Sequence, residues 1–160
     1  MVVSIRRARA ADADRVAELT AQLGYDVDPS TLKGRLSRIL SLANQRFLIA
    51  EMDGRTVGWL HAAIWEYVET QPFVVIAGLV VDKAYRRQGI GRLLVEQAEA
   101  WTREQGLSVV RLWSSAGRTE AHRFYERLGY TNIKSQYSFA KSVNEAGPDA
   151  FKDFIPRIEQ

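Results

Sequence analysis

The segment from Val80 to Gly91 constrains the fold of this chain more than any other stretch; it reads Val-Val-Asp-Lys-Ala-Tyr-Arg-Arg-Gln-Gly-Ile-Gly. An apolar run typical of a strand ends in a polar turn, and an amphipathic helical pattern starts where the turn closes. Backbone N–H groups at the start of a helix point outward together, and the helix dipole adds partial positive charge. Glycine lets backbone approach a ligand, because it has no Cβ. The segment therefore predicts an anion-binding turn, residues 86–92, that suits a phosphate or pyrophosphate; we call it the cradle.

Spacing excludes two other phosphate-binding glycine motifs. The dinucleotide fingerprint G-x-G-x-x-G would need glycine at Leu94, and the P-loop needs a Gly-Lys-Ser/Thr triplet, which the chain lacks. The pattern present is Arg86-x-x-Gly89-x-Gly91. It resembles the pyrophosphate-binding signature R/Q-x-x-G-x-G/A of the GNAT superfamily of acyl-CoA-dependent N-acyltransferases. The alternative is a glycine-rich turn that caps a helix, with its arginines solvated.

A second match lies downstream in the right order. The segment Arg118–Tyr130 resembles the later motif of the family, A-x-x-F-Y-x-x-x-G-F/Y, with Tyr125 as its central tyrosine. A helix and a strand fit between the two motifs. The resemblance covers nearly the whole chain, is sharpest over residues 77–141, and upstream of Arg46 rests on the order of elements alone.

Composition narrows the class of protein. A chain of 160 residues suits one domain with a sizeable core. No apolar run approaches the roughly 18 residues that span a bilayer, and the N-terminus lacks the apolar core of a signal peptide, so we expect a cytoplasmic protein without a membrane partner. Zero cysteines exclude disulfides, thiolate catalysis and cysteine-ligated metals. A net charge of +3 is too small to argue for nucleic acid.

The hydrophobic periodicities predict an α/β fold in the order β-α-α-β-β-β-α-β-α-β, which is also the order that the GNAT family shows. The resemblance implies a single domain with a mixed, mostly antiparallel central sheet flanked by helices. Asp53-Gly54 predicts a hairpin turn, and Asp28-Pro29 predicts a helix start. The predicted elements are strands 3–7, 47–52, 56–68, 73–81, 108–114 and 130–141, and helices 12–23, 28–40, 90–106 and 121–129.

We expect residues 1–141 to form the N-acetyltransferase domain and residues 142–160 to form a C-terminal extension. The extension carries Phe151, Phe154 and Ile155, which a disordered tail would seldom contain. A short helix over Asp149–Ile155 that packs on the domain or on a partner subunit is predicted, which leaves a homodimer open. A floppy end is the alternative.

The resemblance implies acetyl-CoA as acyl donor, no metal, and a role for each part of the two motifs. The backbone of the cradle would bind the pyrophosphate, through Arg86, Arg87, Gln88, Gly89, Ile90, Gly91 and Arg92. The strand before it would pair its exposed backbone with the pantetheine arm like an added strand, through Leu79, Val80 and Val81. Gly78 would let that strand bulge. Tyr125 would protonate the leaving thiolate, since a thiol with a pKa of about 8.5 demands no strong acid.

Two positions depart from the family pattern. Many relatives have a carboxylate near the fourth strand as base for the amine, and residues 75–79 have none. Glu66 and Glu69, near the end of the third strand, are the nearest acids and the predicted base; His61, His122 or a water relay are the alternatives. Arg118 stands where the family often has an asparagine that contacts the pantetheine arm. Arginine cannot accept a hydrogen bond but can donate one, so we predict a cofactor contact there.

The predicted function is transfer of an acetyl group from acetyl-CoA to a primary amine of a small molecule or to an exposed protein amine. Acceptor pockets in the family correspond to residues 25–42 and 59–72, where Trp65 and Tyr67 suit a cationic amine with apolar parts. One alternative is a non-catalytic acyl-CoA-binding sensor or assembly module. A nucleic-acid-binding domain is the other, but the chain has no helix-turn-helix or RNP pattern.

Overall fold

The computed structural model describes residues 2–144 and 147–157 of the chain. It divides into two compact units, a first unit of residues 1–113 and a second unit of residues 114–160. The predicted boundary after residue 141 stays a prediction. None of the described helices is long and apolar enough to cross a membrane.

The first unit contains a five-stranded sheet in the order β1-β2-β3-β4-β5. Neighbouring strands from β1 to β4 are antiparallel, and β5 runs parallel to β4. The β2–β3 hairpin turns at Asp53 (φ 50°) and Gly54 (φ 76°), as predicted, because a type I′ turn needs positive φ at both central residues. The strands are β1 (Val3–Arg7), β2 (Gln45–Met52), β3 (Arg55–Tyr67), β4 (Thr70–Val81) and β5 (Val110–Leu112).

The described residues form four α-helices: α1 (Ala13–Ala21), α2 (Pro29–Ser41) and α3 (Ile90–Glu104) in the first unit, and α4 (Thr119–Arg127) in the second unit. The predicted start of α2 is confirmed, since the Asp28 carboxylate accepts a hydrogen bond of 2.9 Å from the Thr31 amide. Short 3₁₀ segments lie at Ala10–Asp12, Lys83–Tyr85 and Gly147–Phe154.

The core of the first unit lies on both faces of the sheet. Helices α1 and α2 cover one face, where Leu19 and Leu36 pack with Phe47, Ile49 and Trp59. The apolar stripe of α3 packs across β1 to β4, and its buried members are Ile90, Leu94, Val95, Ala98 and Trp101. Strand residues alternate between these faces, which is why the long central strands are apolar on both sides.

The predicted fold class is confirmed, and the order of elements holds from β1 to α4. The final strand predicted over residues 130–141 is wrong, because that segment joins no ladder among the described residues, and Tyr137 and Phe139 are 90% and 92% exposed. A strand is stable only when neighbouring backbone pairs with it and one face is buried, and alternation along a sequence supplies neither.

Two further predictions need correction. The buried strand predicted over 108–114 forms only at Val110–Leu112 and is half-buried, since it is the edge strand of its sheet. The helix predicted over 149–155 is a 3₁₀ segment, Gly147–Phe154, in which Phe154 is exposed. Residues 158–160 of the predicted extension lie outside the described residues.

Candidate active site

The cradle is built by a backbone path that few residue types can follow. After β4, the chain makes the 3₁₀ turn Lys83–Tyr85 and then extends at Arg86. Arg87 (φ 62°) and Gly89 (φ 80°) both lie in the left-handed region, and Gly89 is the N-cap of α3. A left-handed conformation costs a residue with a Cβ about 1–2 kcal/mol. Glycine avoids that cost at position 89, and Arg87 bears it.

The N-terminus of α3 leaves backbone donors unused. The first helical bond runs from the Leu93 amide to the Gly89 carbonyl at 3.1 Å, so the amides of Ile90, Gly91 and Arg92 have no acceptor within the helix. No side chain of the described residues caps this end of the helix. A Cβ placed on Gly89 would have no atom of the described residues within 4 Å. The cradle therefore has N–H groups without an acceptor in the helix, and space beside Gly89 that no described atom fills. Both features suit a pyrophosphate group.

One edge of β4 is open beside the cradle. Within the first unit, β5 pairs with β4 only over Val74–Ile76. Ala77 is skipped in the pairing with β3, where Gly78 and Ile76 face consecutive residues, and this bulge shifts which backbone groups face which side. Because the Asp82 amide donates to the Val57 carbonyl of β3 at 2.8 Å, the alternation of backbone groups turns those of Leu79 and Val81 toward the open side. This edge can pair with an extended ligand.

Gly78 has a role beyond the bulge that was predicted for it. The bulge lies at Ala77, next to Gly78. A Cβ at Gly78 would lie 2.8 Å from two ring carbons of Trp59, closer than non-bonded carbons approach. Glycine is therefore required here because two ring carbons of the Trp59 indole occupy the space that a Cβ would need.

Tyr125 belongs to the second unit. Its half-buried ring packs edge-on against Phe124, at 5.0 Å between centroids, and against Tyr130, at 5.6 Å. Burial raises the pKa of Tyr125 to about 12, and the positive charge of Arg118 opposes the rise. The phenol therefore keeps its proton at neutral pH and can donate it.

Comparison with known proteins decides the family. Residues 12–130 match the family model described as Acetyltransferase (GNAT) family. The chain belongs to the GNAT family. It is accordingly an acetyltransferase, and acetyl-CoA is its acyl donor. Both motifs fall inside the matched range.

Relatives extend over most of the chain. An uncharacterized N-acetyltransferase of Chlorobaculum tepidum is 33% identical, over 83% of this chain and 78% of the relative. An aminoglycoside N(6′)-acetyltransferase type 1 of Acinetobacter haemolyticus is 26% identical, over 89% of this chain and all (100%) of the relative. The crystal structure of the aminoglycoside 6′-N-acetyltransferase AAC(6′)-Ih of Acinetobacter baumannii superposes with a TM-score of 0.80 at 23% identity, covering 89% of this chain and 100% of that one, and shows the GNAT fold.

The structure brings the predicted cradle residues of this GNAT protein together, with the arginine side chains in different roles. Arg86 donates from Nε to the Val81 carbonyl at 3.1 Å and so spans the turn. Arg92 pairs with Glu96 at 2.7 Å, one helical turn along α3. Arg87 and Gln88 are exposed. The predicted cradle residues therefore share no common side-chain role, and what they have in common is the backbone that would bind the pyrophosphate.

The structure does not bring the predicted base to the cradle. Glu66 and Glu69 lie exposed at the tip of the β3–β4 hairpin, at the end of β4 remote from the cradle. The bulge at Ala77 lies seven positions after Thr70, which is about 23 Å of extended strand. Neither carboxylate lies beside the open edge of β4.

Both histidines are engaged. His61 of β3 pairs with Gly78 in register, stacks on Phe47 at 5.5 Å and lies with Nε2 2.6 Å from the Gln45 amide oxygen. Burial lowers the pKa of His61 to about 4, so its imidazole is neutral at pH 7. His122 lies 3.0 Å from the Ser115 carbonyl through Nε2, which ties α4 to the loop before it.

Three polar residues behind the cradle were not predicted as part of the site: Asp82, Arg15 and Gln22. Asp82 is 8% exposed, although it stands in a polar turn. A local signal existed, since an aspartate two residues before the Ala84 amide is a common turn-capping arrangement. The residues around Asp82 in the sequence do not indicate its hydrogen-bond partners, Arg15 and Gln22.

Proposed function

We propose that this acetyltransferase acts on a primary amine of a small molecule. One observation supports the donor side above all: the open edge of β4 leads, through the turn of residues 82–89, into the uncapped N-terminus of α3. A long donor with a pyrophosphate at one end and amide groups along its arm needs those two features in that order.

Each part of the chain has a defined task in the proposed reaction. The amides of the cradle bind the pyrophosphate, and the backbone of Leu79 and the amide of Val81 orient the arm that carries the thioester. The amine nitrogen attacks the thioester carbonyl carbon, the carbon–sulfur bond breaks, and the acetyl group becomes an amide. Tyr125 donates its proton to the departing sulfur. The proton lost by the amine passes to water, since residues 77–81 of β4 include no carboxylate.

Acetyl-CoA supplies the activated acyl group when it is bound, and the protein holds and orients that group for the attack by the amine. Arg118 has one further task in the proposed reaction. Its charge acts on the phenol of Tyr125 and favours the deprotonated form that exists after proton donation. A direct contact of Arg118 with the donor stays a prediction.

The rings predicted for the acceptor pocket suit a cationic small molecule in composition only, because Trp65 and Tyr67 lie at the same hairpin tip as Glu66 and Glu69. Trp65 and Tyr67 are 41% and 42% exposed, and Trp65 packs against Trp113 at 5.3 Å. Aromatic faces attract an ammonium group, although Arg111 already lies over the Trp113 ring at 5.3 Å. The aminoglycoside acetyltransferase among the relatives makes amino sugars the first class to test.

An acceptor screen tests this proposal. Purified protein and acetyl-CoA are mixed with aminoglycosides, polyamines, amino acids and peptides in turn, and the release of free thiol is followed. We expect turnover with at least one small amine and none with peptides. Turnover with peptides alone would contradict the small-molecule proposal. Tight donor binding without any acceptor would support the acyl-CoA-binding module instead.

We also propose a homodimer that uses the segment 130–141. Ile133, Tyr137 and Phe139 occupy odd positions and are 70%, 90% and 92% exposed, a strand pattern without a strand partner in the described chain. Light scattering after size exclusion should give twice the mass of one 18.1 kDa chain. Phe139→Asp should yield monomers, whereas Ser138→Asp, on the other side of the segment, should not. A monomeric parent protein would contradict this proposal.

The cytoplasmic location and the absence of nucleic acid among the partners rest on composition and stay predictions. Among the described residues, no group of three or more His, Cys, Asp or Glu side chains is placed to hold a metal ion.

A further inference from the structure

Asp82 occupies the junction between β4 and the cradle. It is buried, with 8% exposure, and caps the 3₁₀ turn through a 3.0 Å hydrogen bond that its Oδ1 accepts from the Ala84 amide. Its own amide donates to the Val57 carbonyl and so closes the β3–β4 ladder. A buried carboxylate is costly unless other groups neutralise it.

Arg15 of α1 supplies that charge. Its Nη2 pairs with Oδ2 of Asp82. The rest of its guanidinium is held as well, because Nε donates to the Thr56 carbonyl at 3.1 Å and Nη1 pairs with Glu18 at 2.7 Å. Arg15 therefore cannot swing freely, and it fixes the carboxylate of Asp82 relative to α1.

Gln22, two turns further along α1, holds the same junction from the other side. Its amide oxygen accepts a 2.9 Å hydrogen bond from the Lys83 backbone, and its amide nitrogen lies 3.4 Å from Oδ1 of Asp82. The side chains of Arg15 and Gln22, the C-cap of α1, thus hold the side chain of Asp82 and the main chain of Lys83 in the turn that leads into the cradle.

We propose that Arg15, Gln22 and Asp82 form a brace that positions the cradle for the donor. The cradle contains a strained residue, Arg87, in the left-handed region, and such strain persists only where the surroundings over-determine the backbone. A backbone already held in its binding conformation spends less free energy on ordering when a ligand binds. Without the brace, the turn relaxes and the free amides at the N-terminus of α3 no longer point toward one phosphate position. These three are positioning residues, since they act through the backbone of the cradle.

The chain contains a matched control for this brace. Arg6 pairs with Asp12 at 2.7 Å and with Glu51 at 2.8 Å, in a second ion-pair cluster of the same unit. Asp12 has 10% of its side chain exposed and Asp82 has 11%. The Arg6 cluster makes no hydrogen bond to residues 82–92 among the described contacts.

The test compares donor affinity with stability in full-length variants. Calorimetry with acetyl-CoA should show that Asp82→Asn and Arg15→Met raise Kd about 10-fold, which corresponds to about 1.4 kcal/mol. Asp12→Asn should lower the melting temperature without changing Kd. Arg15→Lys keeps the charge and should recover part of the affinity. Gln22→Met, which removes no charge, should raise Kd roughly threefold and covers the case in which Asp82→Asn fails to fold.

Equal Kd values in the parent, Asp82→Asn and Gln22→Met would overturn the brace. A rise in Kd for Asp12→Asn as large as that for Asp82→Asn would also overturn it, because the effect would then follow from stability alone. The inference rests on the proposed donor site but uses no acceptor, so a failed acceptor screen and a failed brace are separate results.

Discussion

Gly89→Val should weaken acetyl-CoA binding at least roughly 10-fold, or about 1.4 kcal/mol, while the protein still folds. A Cβ at position 89 meets no atom of the described chain within 4 Å, so the protein itself has room for the side chain. The same space is where a phosphate must lie to reach the free amides of α3. Calorimetry with acetyl-CoA and a thermal melt measure the two consequences separately.

Gly106→Val is the matched control at the other end of the same helix. Gly106 has φ 71° against 80° for Gly89, and a Cβ added there would likewise meet no atom of the described residues within 4 Å. Both variants carry the left-handed cost of about 1–2 kcal/mol, so both should melt at lower temperature. Only Gly89→Val should lose affinity. Unchanged affinity in a folded Gly89→Val protein, or an equal loss in Gly106→Val, would show that the cradle does not hold the donor.

The cradle could be predicted from sequence because its requirements are local. Positive φ at Gly89 and free amides at the start of α3 follow from residues that lie within one turn of each other. The β2–β3 hairpin at Asp53-Gly54 and the start of α2 at Asp28 are local in the same sense. Each is a backbone conformation that very few residue types satisfy.

Contacts between residues that are far apart in the sequence could not be predicted from it. The brace joins Arg15 to Asp82 across 67 positions and Gln22 to Lys83 across 61. The helical stripe of α1 predicts which residues face the core, but it does not say which turn its polar residues meet. The bulge was predicted at the right place. The need for glycine at position 78 comes from the Trp59 ring, however, and the sequence does not reveal that contact.

The base, Glu66 or Glu69, was predicted from nearness in sequence to β4, and it stays a prediction. Glu69 immediately precedes β4, yet an extended strand carries the chain about 3.3 Å further with every residue. The hairpin tip and the cradle therefore lie at opposite ends of β4. The strand predicted over 130–141 failed for a related reason, since alternation describes a face and leaves its partner unspecified.

Tyr125→Phe should lower turnover by roughly 10²-fold or more, because it removes the proton donor for the leaving thiolate. The substitution deletes one hydroxyl and keeps the ring, so the packing against Phe124 and Tyr130 should survive. Acetyl-CoA affinity should also hold, since the cradle and β4 supply the predicted binding groups. With the pKa of Tyr125 raised to about 12, the phenol stays protonated through neutral and mildly basic pH, and its contribution should not decline between pH 7 and pH 10.

Tyr130→Phe makes the same chemical change in the ring that packs against Tyr125, and it should leave kcat within about twofold of the parent. The measurement needs an amine from the acceptor screen, with kcat and KM determined for all three proteins across that pH range. An unchanged kcat in Tyr125→Phe, with only a shift in melting temperature, would make Tyr125 a packing residue and remove the acid from the proposed mechanism. Equal losses in both variants would assign the effect to disturbed packing around α4, because the two hydroxyls differ in predicted role but share one cluster of rings.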